Sequence, residues 1–196
     1  TSKVEICNLA LANIEAEALI SSLDAPYENE EARYSALYYD KQRQAVLRKH
    51  PWNFATLYVT LAEIGTAPPG WTYQYQYPTD CLNAVEIVKT ARTDPKIEFD
   101  IISDGASGKY ILTDREDAAL KYTTDITDPN VFDEMFINAL AWDLALHLAG
   151  PITGSDTKKQ TAATMFRNMI AIAEAADSGE GTEDAVKDAS WIEARL

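Results

Sequence analysis

Apolar residues recur at steps of three and four along the first fifty positions. Val4, Cys7, Leu11 and Ile14 make one stripe; Tyr39, Val46, Leu47, the stem of Arg43 and the ring of His50 make a second. The first stripe predicts a short helix opened by a capping box, with Ser2 taking a first-turn amide and Glu5 returning to the cap. The second predicts a helix over about Glu30 to Lys49, capped by Asn29. Glu30 and Glu31 in its first turn, and Arg48, Lys49 and His50 in its last, suit the helix dipole. Pro51 lacks an N–H and pushes His50 out of the helical region, so the helix stops there. Trp52 and Phe54 then offer two large surfaces that pin its end. Between the helices, Leu19 to Leu23 reads as a link and Asp24-Ala25-Pro26 as a turn.

From Thr56 the period changes to two. Leu57, Val59 and Leu61 alternate with Tyr58, Thr60 and Ala62 as in a half-buried strand. Gly65 to Gly70 is a loop, and Trp71 to Tyr77 alternates aromatic and amide side chains, placing Tyr73, Tyr75 and Tyr77 on one face. That row needs cover from a core or from a partner. Further strands are expected over Asn83–Lys89, Lys96–Ile102, Lys109–Thr113 and Ala119–Thr124, with a turn at 104–108. Helix returns at Asp128, read as a cap with Pro129 at the first helical position. Phe132, Phe136, Leu140, Leu144 and Leu148 follow at i+4, widened by Met135, Ala139, Trp142 and Leu146, until Gly150-Pro151. A fourth helix is expected from about Asp156 to Ala176, with Ala162, Met165, Phe166, Met169, Ile170, Ile172 and Ala173 inward. Ser178 to Asp184 reads as a flexible linker, and Asp188 to Leu196 as a tail carrying Trp191 and Ile192.

These elements predict an α+β chain: a bundle of about four helices with an inserted small antiparallel β-sandwich or barrel and an extended C-terminal arm. The expected boundaries are 1–55 and 128–178 for the helical domain, 56–127 for the insert and 179–196 for the arm. An insert that leaves a bundle and returns to it suits the closeness of domain ends.

The 196 residues are 46% apolar, enough for a sizeable core. No apolar run approaches the roughly 20 residues of a membrane helix. The start at Thr1 shows no leader pattern and reads as a chain that has lost only its initiator Met. Cys7 and Cys81 have no metal spacing, and Cys7 falls on the buried stripe of the first helix. A net charge of −14 argues against a basic face for nucleic acid; it suits a wall past which DNA slides without sticking, but composition alone favours plain solubility as its role. His50 and His147 stand away from acids or cysteines at ligand spacing, so no metal or cofactor is expected. Gly105-Ala106-Ser107-Gly108 is too short for a phosphate loop, and there is no nucleophile elbow. The expectation is a protein without a catalytic site; the alternative is a peptidoglycan hydrolase working through a carboxylate pair. Asp40 and Arg43, three apart on a helix face, read as a surface pair of small worth unless one partner reaches another chain. The tyrosine row, the loop 66–70 and the Trp191–Ile192 tail look under-buried in one small chain, as interface residues are.

Several segments, in order along the chain, resemble the tail tubular protein A family, the head-to-tail adaptors or connectors of short-tailed bacteriophages. They are Ile6-Cys7-Asn8-Leu9-Ala10-Leu11-Ala12-Asn13-Ile14, Tyr39-Asp40-x-x-Arg43, His50-Pro51-Trp52-Asn53-Phe54-Ala55 and Tyr75-x-Tyr77-Pro78-x-Asp80-Cys81-Leu82. Phe136-x-x-Ala139-Leu140-Ala141-Trp142, Pro151-Ile152-Thr153 and Asp188-x-Ser190-Trp191-Ile192-x-Ala194-Arg195 continue the likeness, which is weakest over Lys89 to Ile126. The resemblance implies a structural virion protein, present in host cytoplasm during assembly and then at the head–tail junction. It implies a homo-oligomeric, dodecameric ring under the portal protein, extending the DNA channel and anchoring the tail nozzle protein and, in some phages, a fibre or spike. DNA would pass without specific binding, and no membrane would be involved. The portal-binding arm would carry Asp188, Ser190, Trp191, Ile192 and Arg195. Asp40, Arg43, Tyr73, Tyr75 and Tyr77 are the candidates for subunit or tail interfaces.

Overall fold

The computed structural model describes residues 1–91, 93–105 and 108–180, with side chains as far as residue 176. The fold is mixed α+β, with four α-helices and two small antiparallel sheets.

The first two helices lie where the pattern puts them: α1 over Lys3–Asn13 and α2 over Glu30–Lys49. Both arms of the capping box form at α1, the Glu5 amide donating to Ser2 Oγ and the Ser2 amide to Glu5 Oε2. Asn29 caps α2 by accepting from the Ala32 amide at 2.8 Å. At Pro51 the helix stops as expected, and Trp52 turns back over it. The Trp52 indole N–H donates to the Val46 carbonyl at 3.1 Å, and its ring meets His50 and Phe136 edge-on. Phe54 lies oblique to Phe132 and edge-on to Phe136, so the pin is a cluster of five rings with His50 at its edge.

The next helix differs from its expectation at both ends. Asp128 caps only a short 3-10 turn, Pro129–Val131. Phe132 is extended, and Asp133 supplies a new cap, accepting from the Met135 amide at 2.7 Å, so that α3 spans Glu134–Leu148. Phe132 therefore joins the core as a loop residue, while Met135 points outward. Gly150-Pro151 does not end the helical path. A π-helical turn, Ala149–Thr153, absorbs the proline and closes at Gly154, whose φ of 62° is the left-handed cap that glycine takes without strain.

α3 packs on all three other helices, and its Ile137, Ala141 and Ala145 are buried as well as the expected stripe. Its wide apolar surface has a second consequence. Glu134–Thr153 is long and apolar enough to cross a membrane by composition, contrary to the sequence expectation, but here packing inside the helical core gives that apolarity its use. Helix α4 covers Asp156–Glu180, longer than the expected end at Ala176. Propagating a formed helix costs about 1 kcal/mol even through a glycine, so Ser178, Gly179 and Glu180, expected in the linker, continue it. Ile172, expected inward, is exposed.

Six strands follow α2: β1 (Thr56–Thr60), β2 (Tyr73–Gln76), β3 (Cys81–Ile87), β4 (Phe99–Ser103), β5 (Lys109–Thr113) and β6 (Ala119–Thr124). They form two three-stranded antiparallel sheets, ordered β1-β6-β3 and β2-β5-β4. Single antiparallel bridges, Glu63 with Tyr75 and Ile87 with Ile97, link the two sheets. One small core of Leu61, Tyr75, Ile87, Ile111, Ala118, Leu120 and Tyr122 lies between them. Leu57 was expected inside; it lies outward with Tyr58 on β1, an edge strand of its sheet.

Candidate functional site

The chain passes from helix to sheet at Ala55–Thr56 and back at Asp125, and the return passage meets α2 at Arg43 and Gln44. Tyr39, Arg43, Val46 and Leu47 share the inward face of that helix. The long stem of Arg43 crosses this face and delivers its guanidinium beyond the helical core. There it donates to Asp125 Oδ1 and, at 2.6 Å, to the Ile126 carbonyl. Gln44 donates to the other Asp125 oxygen at 2.8 Å.

Asp125 in turn donates its amide to the Asp80 carbonyl at 3.0 Å. The Asp80 carboxylate accepts from the Thr124 hydroxyl at 2.8 Å and from the Tyr122 hydroxyl at 3.1 Å. The result is a polar clamp running Gln44–Arg43–Asp125–Asp80–Tyr122/Thr124 between α2 and the root of the β region. Burial works to raise the Asp125 pKa, but the hydrogen bonds from Arg43 and Gln44 and the Arg43 charge outweigh it, so the carboxyl lies below its ordinary value.

The expected surface pair therefore takes another form. Arg43 is 2% exposed and is spent inside the chain, whereas Asp40 is 65% exposed and touches it only at 3.5 Å. Asp40 also lies 3.7 Å from Lys3. Tyr75 is buried in the β core and donates its hydroxyl to the Arg115 carbonyl at 2.8 Å, so it is covered by its own chain. Tyr73 and Tyr77 are half-buried against the same core. Of the five interface candidates, Asp40, Tyr73 and Tyr77 keep accessible surface. Asp188, Ser190, Trp191, Ile192 and Arg195 lie outside the described residues.

Tyr77 faces a groove of about 430 Å³ shared with Ile64, Pro78, Cys81, Lys109 and Tyr110. The Lys109 ammonium stands 5.4 Å from the Tyr77 ring centre. Sequence reasoning missed Asp125, and named Asp80 only within a family-like segment and with no role, because nothing local marks an acid whose partner lies far along the chain. The arginine embedded in an apolar stripe was the one visible signal. It also missed Asn8, whose side chain brackets Ile20 with two 2.9 Å hydrogen bonds.

A more deeply buried acid has a different environment. Asp143 lies on α3, and among the described residues its Oδ2 has no hydrogen-bond partner. Burial pushes its pKa up to about 6, with the Lys49 charge pulling the other way. His147, one turn on at 3.9 Å, is pushed down by burial and then by Lys159. The distance would suit an ion pair, yet both shifts favour the neutral forms, and at pH 7 an ionised carboxylate faces a neutral imidazole. Among the described residues, no group of three or more His, Cys, Asp or Glu is gathered to hold a metal ion.

No family model matches the chain, and no curated protein matches it in sequence.

Proposed function

We propose that the chain is a non-enzymatic building block of a short-tailed bacteriophage virion, a connector subunit that joins a ring of its own copies between portal and tail. In this reading residues 1–55 and 128–178 are a helical bundle and 56–127 an inserted β module. The two bridges between sheets would make that module a six-stranded barrel with two partly open seams, in the cyclic order β1-β6-β3-β4-β5-β2.

The observation that carries the reading is where the family-like segments meet. Tyr39-Asp40-x-x-Arg43, His50 to Ala55, Tyr75 to Leu82 and Phe136 to Trp142 are far apart in sequence. Yet Arg43 reaches Asp125, Asp125 reaches Asp80, and Trp52 reaches Phe136. Two pairs of family-like segments thus meet, one through Asp125 and one through the Trp52 ring, and in this reading the first contact holds the β module at a fixed angle to the helices. A connector needs that rigidity, because one part must grip its neighbours while the other presents a platform to the nozzle or fibre proteins. The net charge of −14 suits a channel wall that does not retain DNA.

The test is assembly with the cognate portal, imaged by electron microscopy, for the full chain and for a chain lacking residues 179–196. Rings on the portal with the full chain, and loss of portal binding on truncation with unchanged circular dichroism, are expected. A full chain that leaves the portal bare overturns the reading. Undiminished binding by the truncated chain overturns the arm's role.

A further inference from the structure

We propose that β1 is a pairing edge: Tyr58 and Thr60 join the same two residues of a second copy of this chain, antiparallel and across a two-fold axis at Val59. Such a contact closes at two copies and builds no ring, so it stands apart from the connector reading.

The direction of each backbone group here follows from the bonds around it. The Leu61 amide donates to the Ala118 carbonyl at 2.8 Å, in register with the β1–β6 ladder. Backbone groups of alternate residues point to the same side of a strand. Leu57, Val59 and Leu61 therefore bond toward β6, while Thr56, Tyr58 and Thr60 point the other way, into the seam with β2. On that side the chain pairs only further on. The Gln76 amide donates to the Ala62 carbonyl at 2.9 Å, and the Ile64 amide to the Gln74 carbonyl at 2.8 Å. The next rung in that register sets Thr60 against Pro78, which has no N–H to give. There the ladder stops, and a groove of about 280 Å³ opens between Thr60 and Pro78. The Thr56 amide is taken up by the Asn53 carbonyl. Among the described residues, the N–H and C=O groups of Tyr58 and Thr60 have no partner.

The edges at the other seam are guarded. β3 is broken by two register shifts and carries Glu86, and β4 carries the exposed Asp100. β1 is Thr-Leu-Tyr-Val-Thr in unbroken register, without charge, proline or bulge, and Leu57, Tyr58 and Thr60 are exposed. Edges that must stay single are blunted by such devices; one that lacks them all is built to take a strand.

A second copy fits this edge by symmetry. Two residues are open, two apart, each with one donor and one acceptor. Setting Tyr58 opposite Thr60 of the second copy, and Thr60 opposite its Tyr58, makes four hydrogen bonds and leaves none of these groups over. Val59 meets its own counterpart at the axis. Tyr58 gains a β-branched neighbour, a favourable cross-strand pair. In a chain of net charge −14, an uncharged strand is where two copies align without setting like charges opposite each other. Water already serves these groups in the single copy, so each bond adds little and the contact belongs to the weak class.

The experiment is sedimentation equilibrium of the full chain at high protein concentration, joined to disulfide trapping in a Cys81→Ser background, Cys7 being buried. A reversible dimer is expected. Tyr58→Lys supplies the missing guard at an exposed position, and Thr60→Pro removes an N–H that β6 does not use. Each should leave circular dichroism unchanged and weaken the dimer by at least about tenfold. On oxidation, a mixture of Tyr58→Cys and Thr60→Cys chains should give the mixed dimer above its statistical share, because these positions face each other and neither faces itself. A chain that stays monomeric overturns the proposal, and a dimer untouched by both edge variants overturns this surface. A mixed dimer at or below the statistical share overturns the two-fold register. Dimers that appear only when Trp191 and Ile192 are both changed to Ala would give the edge to the chain's own tail. A monomer whose edge variants fail to assemble on the portal would give it to another protein. Either result removes the second copy as occupant.

Discussion

Two places in this molecule draw a carboxylate inward, Asp125 to 26% exposure and Asp143 to 8%, and they do so to opposite effect. At the junction, Asp125 is met by Arg43 and Gln44 from α2, and its pKa falls. In the middle of α3, Asp143 is surrounded by packed helix, one oxygen has no donor, and its pKa rises to about 6. The difference is not depth of burial alone but whether another element supplies donors where the charge stands. At the junction those donors come from a helix and the acid from the end of a strand, so the pairing joins two parts of the fold. On α3 the acid has only His147 at 3.9 Å and the Lys49 charge to set against its burial, which works against stability.

The largest expected effect comes from removing the answered acid. Asp125→Ala strands a guanidinium that is 2% exposed. Breaking a buried pair costs about 3–5 kcal/mol; retention of the Ile126 carbonyl by Arg43 puts the expected loss near the lower end, about 3 kcal/mol, by urea unfolding. A loss below about 1 kcal/mol would mean that packing alone holds the β module. The Asp125 contribution has a defined pH window. Its folded pKa is depressed, so the stabilisation is present above the unfolded value near 4 and disappears as pH falls through the folded value.

The unanswered acid should behave in reverse. Asp143→Asn is expected to stabilise the chain by about 1–3 kcal/mol at pH 7, since the shift from 3.8 to about 6 corresponds to an upper limit near 3 kcal/mol. The sign follows from the raised folded pKa. Between about pH 4 and pH 6 the folded chain holds a proton that the unfolded chain has released, so parent stability drops as pH rises across that window. The advantage of asparagine should therefore be near zero at about pH 4 and complete by about pH 7. A constant advantage from pH 4.5 to 7.5 would show that the gain is a hydrogen bond rather than a removed charge.

Between these extremes lies a neutral amide. Asn8→Ala deletes two hydrogen bonds to Ile20 without leaving a buried charge, and about 1–2 kcal/mol is the expected cost. Hydrogen exchange should locate it, with the Ile20 amide losing protection first. Unchanged protection there would mean that the Ile20 side chain, rather than Asn8, fixes the loop.

What could be read from the residues followed their range along the chain. Ser2 with Glu5, Asn29 with Ala32, and the stop at Pro51 act within one turn, and the structure has all three where the local chemistry puts them. The strands β5 and β6 fall at their expected limits because alternation is also local. The start of α3 was obscured by competition: Asp128 and Asp133 are both good caps, and the proline after the first favoured the wrong one. The Tyr73–Tyr77 row had two equal readings, and the outcome at Tyr75 depended on β5 and β6 closing over it. Arg43 looked like half of a surface pair because its nearest acid in sequence, Asp40, is not its main acid in space. Nothing short of the fold could name Asp125.

The smallest expected effect separates structure from assembly at the motif residue Tyr39. Its ring is buried among α1 and α2, with the Lys3 ammonium 5.4 Å from the ring centre, and among the described residues its hydroxyl has no hydrogen-bond partner. Burial raises its pKa well above the ordinary tyrosine value, so the hydroxyl stays protonated at any pH the fold survives. Tyr39→Phe keeps the ring and removes a group that the folded chain leaves unsatisfied, so stability should stay the same or rise by up to about 1 kcal/mol. A loss of more than about 1 kcal/mol would show that the hydroxyl does have a partner in the folded chain, and would place Tyr39 with Asp125 among the answered groups. Unchanged stability is the expected outcome, and it would leave the exposed Asp40 rather than the buried Tyr39 as the residue of this motif open to contact with another subunit.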